Sequence, residues 1–209
     1  MLDDSPHQKI DTVLAKLDKA LANGDIDAAV NLFQADCYWR DLVTFTWNLK
    51  TLEGHDEIRA MLTEQLQRVQ PRDWRQDARE VATEDDGVTQ AWIEFETGVA
   101  RGYGHIRLKN GLIWSLLTTM TELKGHEEPK GALRPMGAEH GSQPGRKSWK
   151  EKREAEASEL GYTVQPYCVI IGGGQGGIAL GARLRQLGVP TIIVERNERA
   201  GDSWRKRYK

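Results

Sequence analysis

A short apolar run, Tyr167-Cys168-Val169-Ile170-Ile171, leads directly into Gly172-Gly173-Gly174-Gln175-Gly176-Gly177. Gly172, Gly174 and Gly177 fall on the positions of a G-x-G-x-x-G fingerprint, and each position has a reason to lack a side chain. The first makes the tight turn out of a strand, the second lets a pyrophosphate approach the backbone, and the third lets a helix pack close to the sheet. Ile178 to Leu187 reads as that helix, whose N-terminal amides and dipole favour a negative phosphate. Its expected core face is Ile178, Ala182, Leu184 and Leu187. Gly188 and Pro190 end it, and Thr191-Ile192-Ile193-Val194 reads as a second buried parallel strand that closes on Glu195. An acid about twenty residues past the glycines is placed to accept hydrogen bonds from an adenosine ribose. Its charge also repels a 2′-phosphate, so the pattern favours FAD or NAD over NADP.

Gly201-Asp202-Ser203-Trp204-Arg205-Lys206-Arg207-Tyr208 follows shortly after the acid. From Val169 to Tyr208 the sequence resembles the flavin-containing monooxygenases, the group that includes YUCCA-type and Baeyer–Villiger-type enzymes. The resemblance implies FAD as the dinucleotide, held by Gly172, Gly174, Gln175, Gly176, Gly177, Glu195, Arg196, Gly201, Asp202, Trp204 and Arg205. It places Trp204 near the flavin and lets Arg205 offer donors to phosphate or flavin oxygens, with a core tryptophan as the alternative for Trp204. In that family NADPH reduces the flavin, which then carries the oxygen chemistry. The family's second glycine-rich fold, for NADPH, is not among these 209 residues. The expectation is therefore a chain truncated within its FAD domain, the N-terminal portion of an FAD-dependent, NADPH-using monooxygenase that does not turn over by itself. NADPH is expected only in the full-length parent, and no catalytic residue is assigned.

The elements ahead of this motif differ in period. Ser5, Pro6 and Gln8 have the order of a capping box, and Ile10, Val13, Leu14, Leu17 and Leu21 recur at helical spacing until Asn23-Gly24. Asp25 can cap a second short helix, and a third runs from about Gly54 to Pro71. Cys37-Tyr38-Trp39 and Val43 to Trp47 read as extended, being aromatic and β-branched. From Trp74 to Leu123 the period is two, and Asn110-Gly111 marks a hairpin. The pattern predicts an α+β arrangement with helices covering one face of a curved antiparallel sheet.

Phe33, Tyr38-Trp39-Arg40-Asp41, Phe45-Thr46-Trp47 and Thr51-Leu52-Glu53-Gly54 resemble the NTF2-like (SnoaL-like) cone that precedes a subset of those monooxygenases. Folds of this kind host enzymes, small-ligand binders and homodimers paired through their sheets. Asp41, Glu94 and His105 are the titratable residues able to act as general base or acid in such a cone. The favoured account of them is structural, with Arg40 and Asp41 paired and His105 a satisfied sheet histidine. Trp39, Trp47, Trp92 and Trp114 can line a pocket, but core is the expectation.

Three segments follow: an NTF2-like domain at 1–123, a linker with a charged helix at 124–166, and the first, incomplete βαβ of a Rossmann-type FAD domain at 167–209. Glycines and prolines break periodicity from Lys124 to Lys147, with Trp149 as the expected anchor after them and a solvated helix face over Lys147 to Arg153. A balance of 29 basic against 31 acidic residues gives no pull toward nucleic acid. No long apolar run suggests a membrane span, and two distant cysteines exclude a disulfide or zinc framework, so a reducing cytoplasm is expected. Two readings stand beside the monooxygenase. One is a non-catalytic NTF2-like dimerisation or small-ligand module carrying a relic dinucleotide loop. The other is a dehydrogenase segment using NAD at the same glycines.

Overall fold

Gln8 N donates to Ser5 Oγ and Ser5 N to Gln8 Oε1 at 3.0 Å, and Pro6 stands in the first turn, so helix α1 runs Pro6–Ala22. Ile10, Val13, Leu14, Leu17 and Leu21 line its buried stripe, as the spacing predicts. Asp25 caps α2 (Ile26–Val30), its side chain accepting from Ala28 N at 2.9 Å. Helix α3 (Gly54–Val69) buries Ile58, Met61, Leu62, Leu66 and Val69 and stops at Gln70, which is left-handed ahead of Pro71. A computed structural model describes residues 5–134, 144–199 and 201–207. They belong to two compact units, Met1–Glu127 and Glu128–Lys209. Pro135, Gly137 and Gly141 of the expected linker, and Tyr208, lie outside the described residues.

The sheet of the first unit contains β1 (Phe33–Leu42), β2 (Leu49–Glu53), β3 (Arg72–Gln76), β4 (Thr83–Asp85), β5 (Val88–Glu96), β6 (Ala100–Lys109) and β7 (Leu112–Leu123). Their order is β2-β1-β7-β6-β5-β3, with β4 on β5. Asn110 (φ 52) and Gly111 (φ 76) make the two-residue turn between β6 and β7, both left-handed as a type I′ hairpin demands. Two expectations are corrected. The sheet is mixed, because β1 pairs with β7 in parallel. The long chain between them allows a parallel crossover, and the pairing joins the first strand to the last. Val43 to Trp47 is not a strand but part of the turn between β1 and β2, with Val43 (φ 59) and Trp47 (φ 54) left-handed. The Asp41 carboxylate takes the Phe45 and Thr46 amides, which removes them from any ladder.

One face of this sheet lies under the helices, α1 over β3 and α3 over β1. Its centre is aromatic: Trp39 is stacked on Phe33 with centroids 5.7 Å apart and meets Phe45 edge-on at 4.9 Å, while Trp74 stacks on Phe95 at 4.4 Å. Glycines on β6 make room for this layer. The Phe95 ring fills the space a Cβ at Gly102 would need, and a Cβ at Gly104 would overlap the Leu117 carbonyl oxygen. Register shifts within the β6–β7 and β1–β7 pairs bend the sheet. No helix of the described residues is long and apolar enough to cross a membrane.

The second unit contains a 3-10 turn at Gly131–Leu133, α4 (Trp149–Glu159), β8 (Cys168–Ile171), α5 (Gln175–Gln186), β9 (Thr191–Val194) and α6 (Asp202–Arg207). β8 and β9 pair in parallel, and α5 connects them. The expected burial of these elements is corrected: α5 has no buried residue, only Ile170 of β8 is buried, and Ile171 is 82% exposed. A lone parallel pair lacks the neighbouring strands and second helical layer that bury such strands. Trp149, expected as an anchor, is exposed, with the Arg153 guanidinium 5.2 Å from its ring centroid.

Candidate functional site

Alternation along the strands sorts the candidate acids and base onto opposite faces. Cys37, Trp39 and Asp41 point to the helix side of β1, whereas Glu94 on β5 and His105 on β6 point away from it. The sheet therefore separates Asp41 from the other two. Asp41 is 0% exposed and accepts from Phe45 N at 3.0 Å, Thr46 N at 2.8 Å, Thr46 Oγ1 at 2.8 Å and Thr118 Oγ1 at 2.8 Å. Trp39 Nε1 in turn donates to Thr118 Oγ1 at 2.9 Å. Asp41 is structural, as expected, but its partner is this turn and not Arg40, which donates to Thr51 Oγ1 at 2.6 Å. Burial pushes the Cys37 thiol above its ordinary value, so it is packing and not a nucleophile.

The face away from the helices is built in rows. One row runs Trp92, His105, Leu117 and Arg40 across β5, β6, β7 and β1, and the next runs Glu94, Tyr103, Thr119, Leu42 and Leu49 to the β2 edge. Trp92 stacks on Tyr103 with centroids 5.2 Å apart and meets His105 edge-on at 4.7 Å. Large apolar groups remain in solvent: Trp92 is 38% exposed, Tyr38 43% and Leu49 62%. Trp39 is core as expected, whereas Trp92 and Trp47 are not, and Trp114 is half-buried. Tyr38, Leu49 and Leu117 were not foreseen as site residues. The signal available for them was the strand alternation, once Trp39 and Leu116 are placed on the helix side.

A groove of about 570 Å³ lies over the end of this face, lined by Arg75, Asp77, Arg79, Glu94, Arg101 and Tyr103 among others. Its charges are matched. Glu94 accepts from Arg75 at 2.8 Å and Arg79 at 3.2 Å, and Asp77 holds Arg79 through two bonds of 2.8 and 2.9 Å. Hydrogen bonds from the Arg79 side chain and backbone, with one from the Tyr103 hydroxyl, keep the Asp77 carboxyl well below the usual range. Glu94 is thus tied into ion pairs, which does not suit a free base. Among the described residues, no group of three or more His, Cys, Asp or Glu side chains could hold a metal ion.

Burial, and then the Arg107 charge, push the His105 imidazole below its ordinary pKa. The unfolded chain takes up this proton near pH ~6.5, while the folded chain does so only at lower pH. Below that point the unfolded state binds more protons, so stability is flat above about pH 6.5 for this group and falls as pH drops through the window beneath it. Urea midpoints across that window should fall for the native chain and fall less for His105→Gln. Equal slopes would show that His105 is not the group responsible.

In the second unit Gly172 is left-handed (φ 103), and a Cβ at Gly177 would overlap the Gly172 carbonyl oxygen. Gly174 caps α5, while Gln175 and Gly176 are exposed in its first turn. Glu195 Oε1 accepts from Asn197 N at 2.9 Å and Nδ2 at 2.6 Å, and Oε2 from Gly173 N at 2.6 Å. These donors, Asn197 first, hold its carboxyl below the ordinary range. Gly201 N donates to Gly173 O at 2.7 Å. Arg205 donates to the buried Asp202 at 2.9 Å. The foreseen glycines, Glu195 and Gly201 are thus brought together, whereas Arg196 and Trp204 lie exposed, the latter not a core residue.

Residues 14–116 match the family model described as a SnoaL-like domain. No curated protein matches the chain. Solved structures are similar to about half of the chain at low identity. The Orange Carotenoid Protein of Anabaena (Nostoc) sp. PCC 7120, which binds canthaxanthin, is 18% identical over 52% of this chain and 35% of its own, with a TM-score of 0.42. An NTF-2 like protein of unknown function from Burkholderia xenovorans LB400 is 13% identical over 55% of this chain and 84% of its own, at 0.39. RV0760c from Mycobacterium tuberculosis is 12% identical over 58% of this chain and 98% of its own, at 0.44.

The expectation of an FAD-dependent, NADPH-using monooxygenase is corrected by these findings. The family match lies in residues 14–116, away from the glycine loop, and brings no flavin or nicotinamide motif with it. Asp41, Glu94 and His105 do not converge into a catalytic cluster, since the sheet divides them. What remains of the resemblance is its front part: the first unit contains an NTF2-like, SnoaL-like α+β domain, with residues 14–116 carrying the family's pattern.

Proposed function

We propose that the first unit is a non-catalytic module that pairs two copies of the chain through the open face of its sheet. The observation that carries this reading is the division between the two faces. The helix side is filled by Trp39, Phe33, Phe45, Trp74 and Phe95, whereas the opposite side exposes Trp92, Tyr38 and Leu49 beside Leu117, His105 and Tyr103. A contiguous aromatic and aliphatic patch with a polar rim is the usual character of a protein-binding surface. The same face carries both signs, with Glu53, Glu94 and Glu96 near Arg40, Arg101 and Arg107, of which Glu94, Glu96 and Arg101 are also paired within the chain. A face carrying both signs can complement itself across a two-fold axis, as an isologous contact requires.

Light scattering on size-exclusion fractions tests the reading. The native chain is expected at twice its 23.6 kDa, and Trp92→Glu, which puts a charge into the centre of the patch, at the single mass. Pairing unchanged in a folded Trp92→Glu variant would place the interface elsewhere.

A further inference from the structure

We infer that Asn48 and Glu57 close the β2 end of the sheet to added strands, because their side chains take the backbone amides through which a strand of another chain would pair. β2 is the last strand on its side of the sheet and pairs with β1 in unbroken register, from Tyr38 opposite Glu53 to Leu42 opposite Leu49. A straight outer edge of this kind presents N–H and C=O groups to any extended chain. At the turn Val43 N donates to Asn48 O at 3.0 Å, and bonded positions alternate along an antiparallel pair, so Lys50 and Leu52 bond inward to β1. The N–H groups of Leu49, Thr51 and Glu53 therefore point outward. Two of them are held by side chains: Leu49 N donates to Asn48 Oδ1 at 2.8 Å and Glu53 N to Glu57 Oε2 at 3.0 Å. Among the described residues, Thr51 is the one of the three whose amide has no side-chain acceptor.

The opposite end of the sheet is blunted in its backbone. Asp73 on β3 is left-handed (φ 57) and the register slips between Arg72 and Arg75, so that edge is both bulged and charged. β2 has no such bulge, and its Leu49 is 62% exposed, which makes the two side-chain caps the barrier at this end. The geometry of strand addition shows what they prevent. An antiparallel β2 from a second copy, centred on Thr51, would set Leu49 opposite Glu53 and bond each outward amide to a carbonyl across the junction. With the Leu49 and Glu53 amides already held, breaking a cap to form the ladder exchanges one hydrogen bond for another, and Thr51 alone brings a new one. Glu57 has a second role, because its bond to Glu53 N also caps the start of α3. Asn48 lies in the turn and acts on the edge alone. This closure does not depend on pairing through the open face.

Amide hydrogen exchange and sedimentation equilibrium of the full chain test this. In the native chain the Leu49 and Glu53 amides are expected to be protected at least tenfold more than Thr51. Trp92→Glu serves as the background for sedimentation, since it blocks pairing through the open face, and is expected at 23.6 kDa. Adding Asn48→Ala and Glu57→Ala to it is expected to raise the mass toward twice that value as concentration rises, with new protection at Thr51. Adding Glu57→Gln instead, which keeps an acceptor oxygen, is expected to leave the single mass. A folded triple variant that stays at 23.6 kDa at every concentration overturns the inference, as do native Leu49 and Glu53 amides that exchange as fast as Thr51. If Glu57→Ala unfolds α3, Asn48→Ala alone decides: at least tenfold faster exchange at Leu49 supports the cap, and an unchanged rate overturns it. A native chain that stays single removes the pairing reading and leaves each of these outcomes as stated.

Discussion

Asp41→Ala is expected to destabilise the first unit by about 3–5 kcal/mol, the largest effect of any single substitution considered. The carboxylate is fully buried and accepts from two backbone amides and two hydroxyls, all between 2.8 and 3.1 Å. Removing it leaves those donors facing a void that protein atoms line, and each buried orphan carries a desolvation penalty of roughly 1–3 kcal/mol unless water enters. The left-handed Val43 and Trp47 would then lose the contact that holds them, so part of the penalty is relieved by loosening of the turn. Urea denaturation followed by tryptophan fluorescence measures the sum. A loss below about 1 kcal/mol would mean that the turn holds itself and that Asp41 is replaceable by water.

Gly104→Ala is the second large effect, an expected loss of about 3 kcal/mol. The helix-side position of Gly104 on β6 leaves no room for a methyl group: it would overlap the Leu117 carbonyl oxygen and come within 3.3 Å of Ile93 Cγ1. Backbone cannot move aside as a long side chain can, so β6 and β7 must separate locally and weaken the bond row between them. The same denaturation experiment reads it, with Gly111→Ala as a contrast. At Gly111 there is space for a Cβ but the backbone is left-handed, so its smaller loss reports conformational strain alone. A Gly104→Ala variant as stable as the native chain would contradict the close approach of the two strands.

Local chemistry was the legible part of this molecule. Ser5, Pro6 and Gln8 predict the start of α1 because a capping box is made by residues three apart, and Asn110-Gly111 predicts the hairpin because the turn type needs two left-handed residues there. The parallel β1–β7 pair was not legible, since strands so far apart in sequence carry no mark of which neighbour they will meet. Val43 to Trp47 has the composition of a strand and folds as a turn, because a buried carboxylate two residues earlier competes for its amides. The partner that fixes Asp41, Thr118, is distant in sequence and offers no local signal.

The glycine string shows a different limit. Gly172 and Gly177 are required by a left-handed turn and a close strand-to-helix approach, and both requirements hold whatever the loop meets. Their spacing therefore reports a local backbone requirement and was a poor guide to activity. On the sheet, Trp92 and His105 were visible as residues able to act. Which face they occupy became clear only with the register that sets them beside Leu117 and away from Asp41.

Sedimentation equilibrium of the unmodified chain over a range of concentrations tests the central claim most directly. The account predicts a reversible equilibrium between a single species of 23.6 kDa and one of twice that mass, shifting toward the larger as concentration rises. A single species of 23.6 kDa at every concentration would contradict it, and the exposed face around Trp92 would then have to be assigned to a partner other than a second copy.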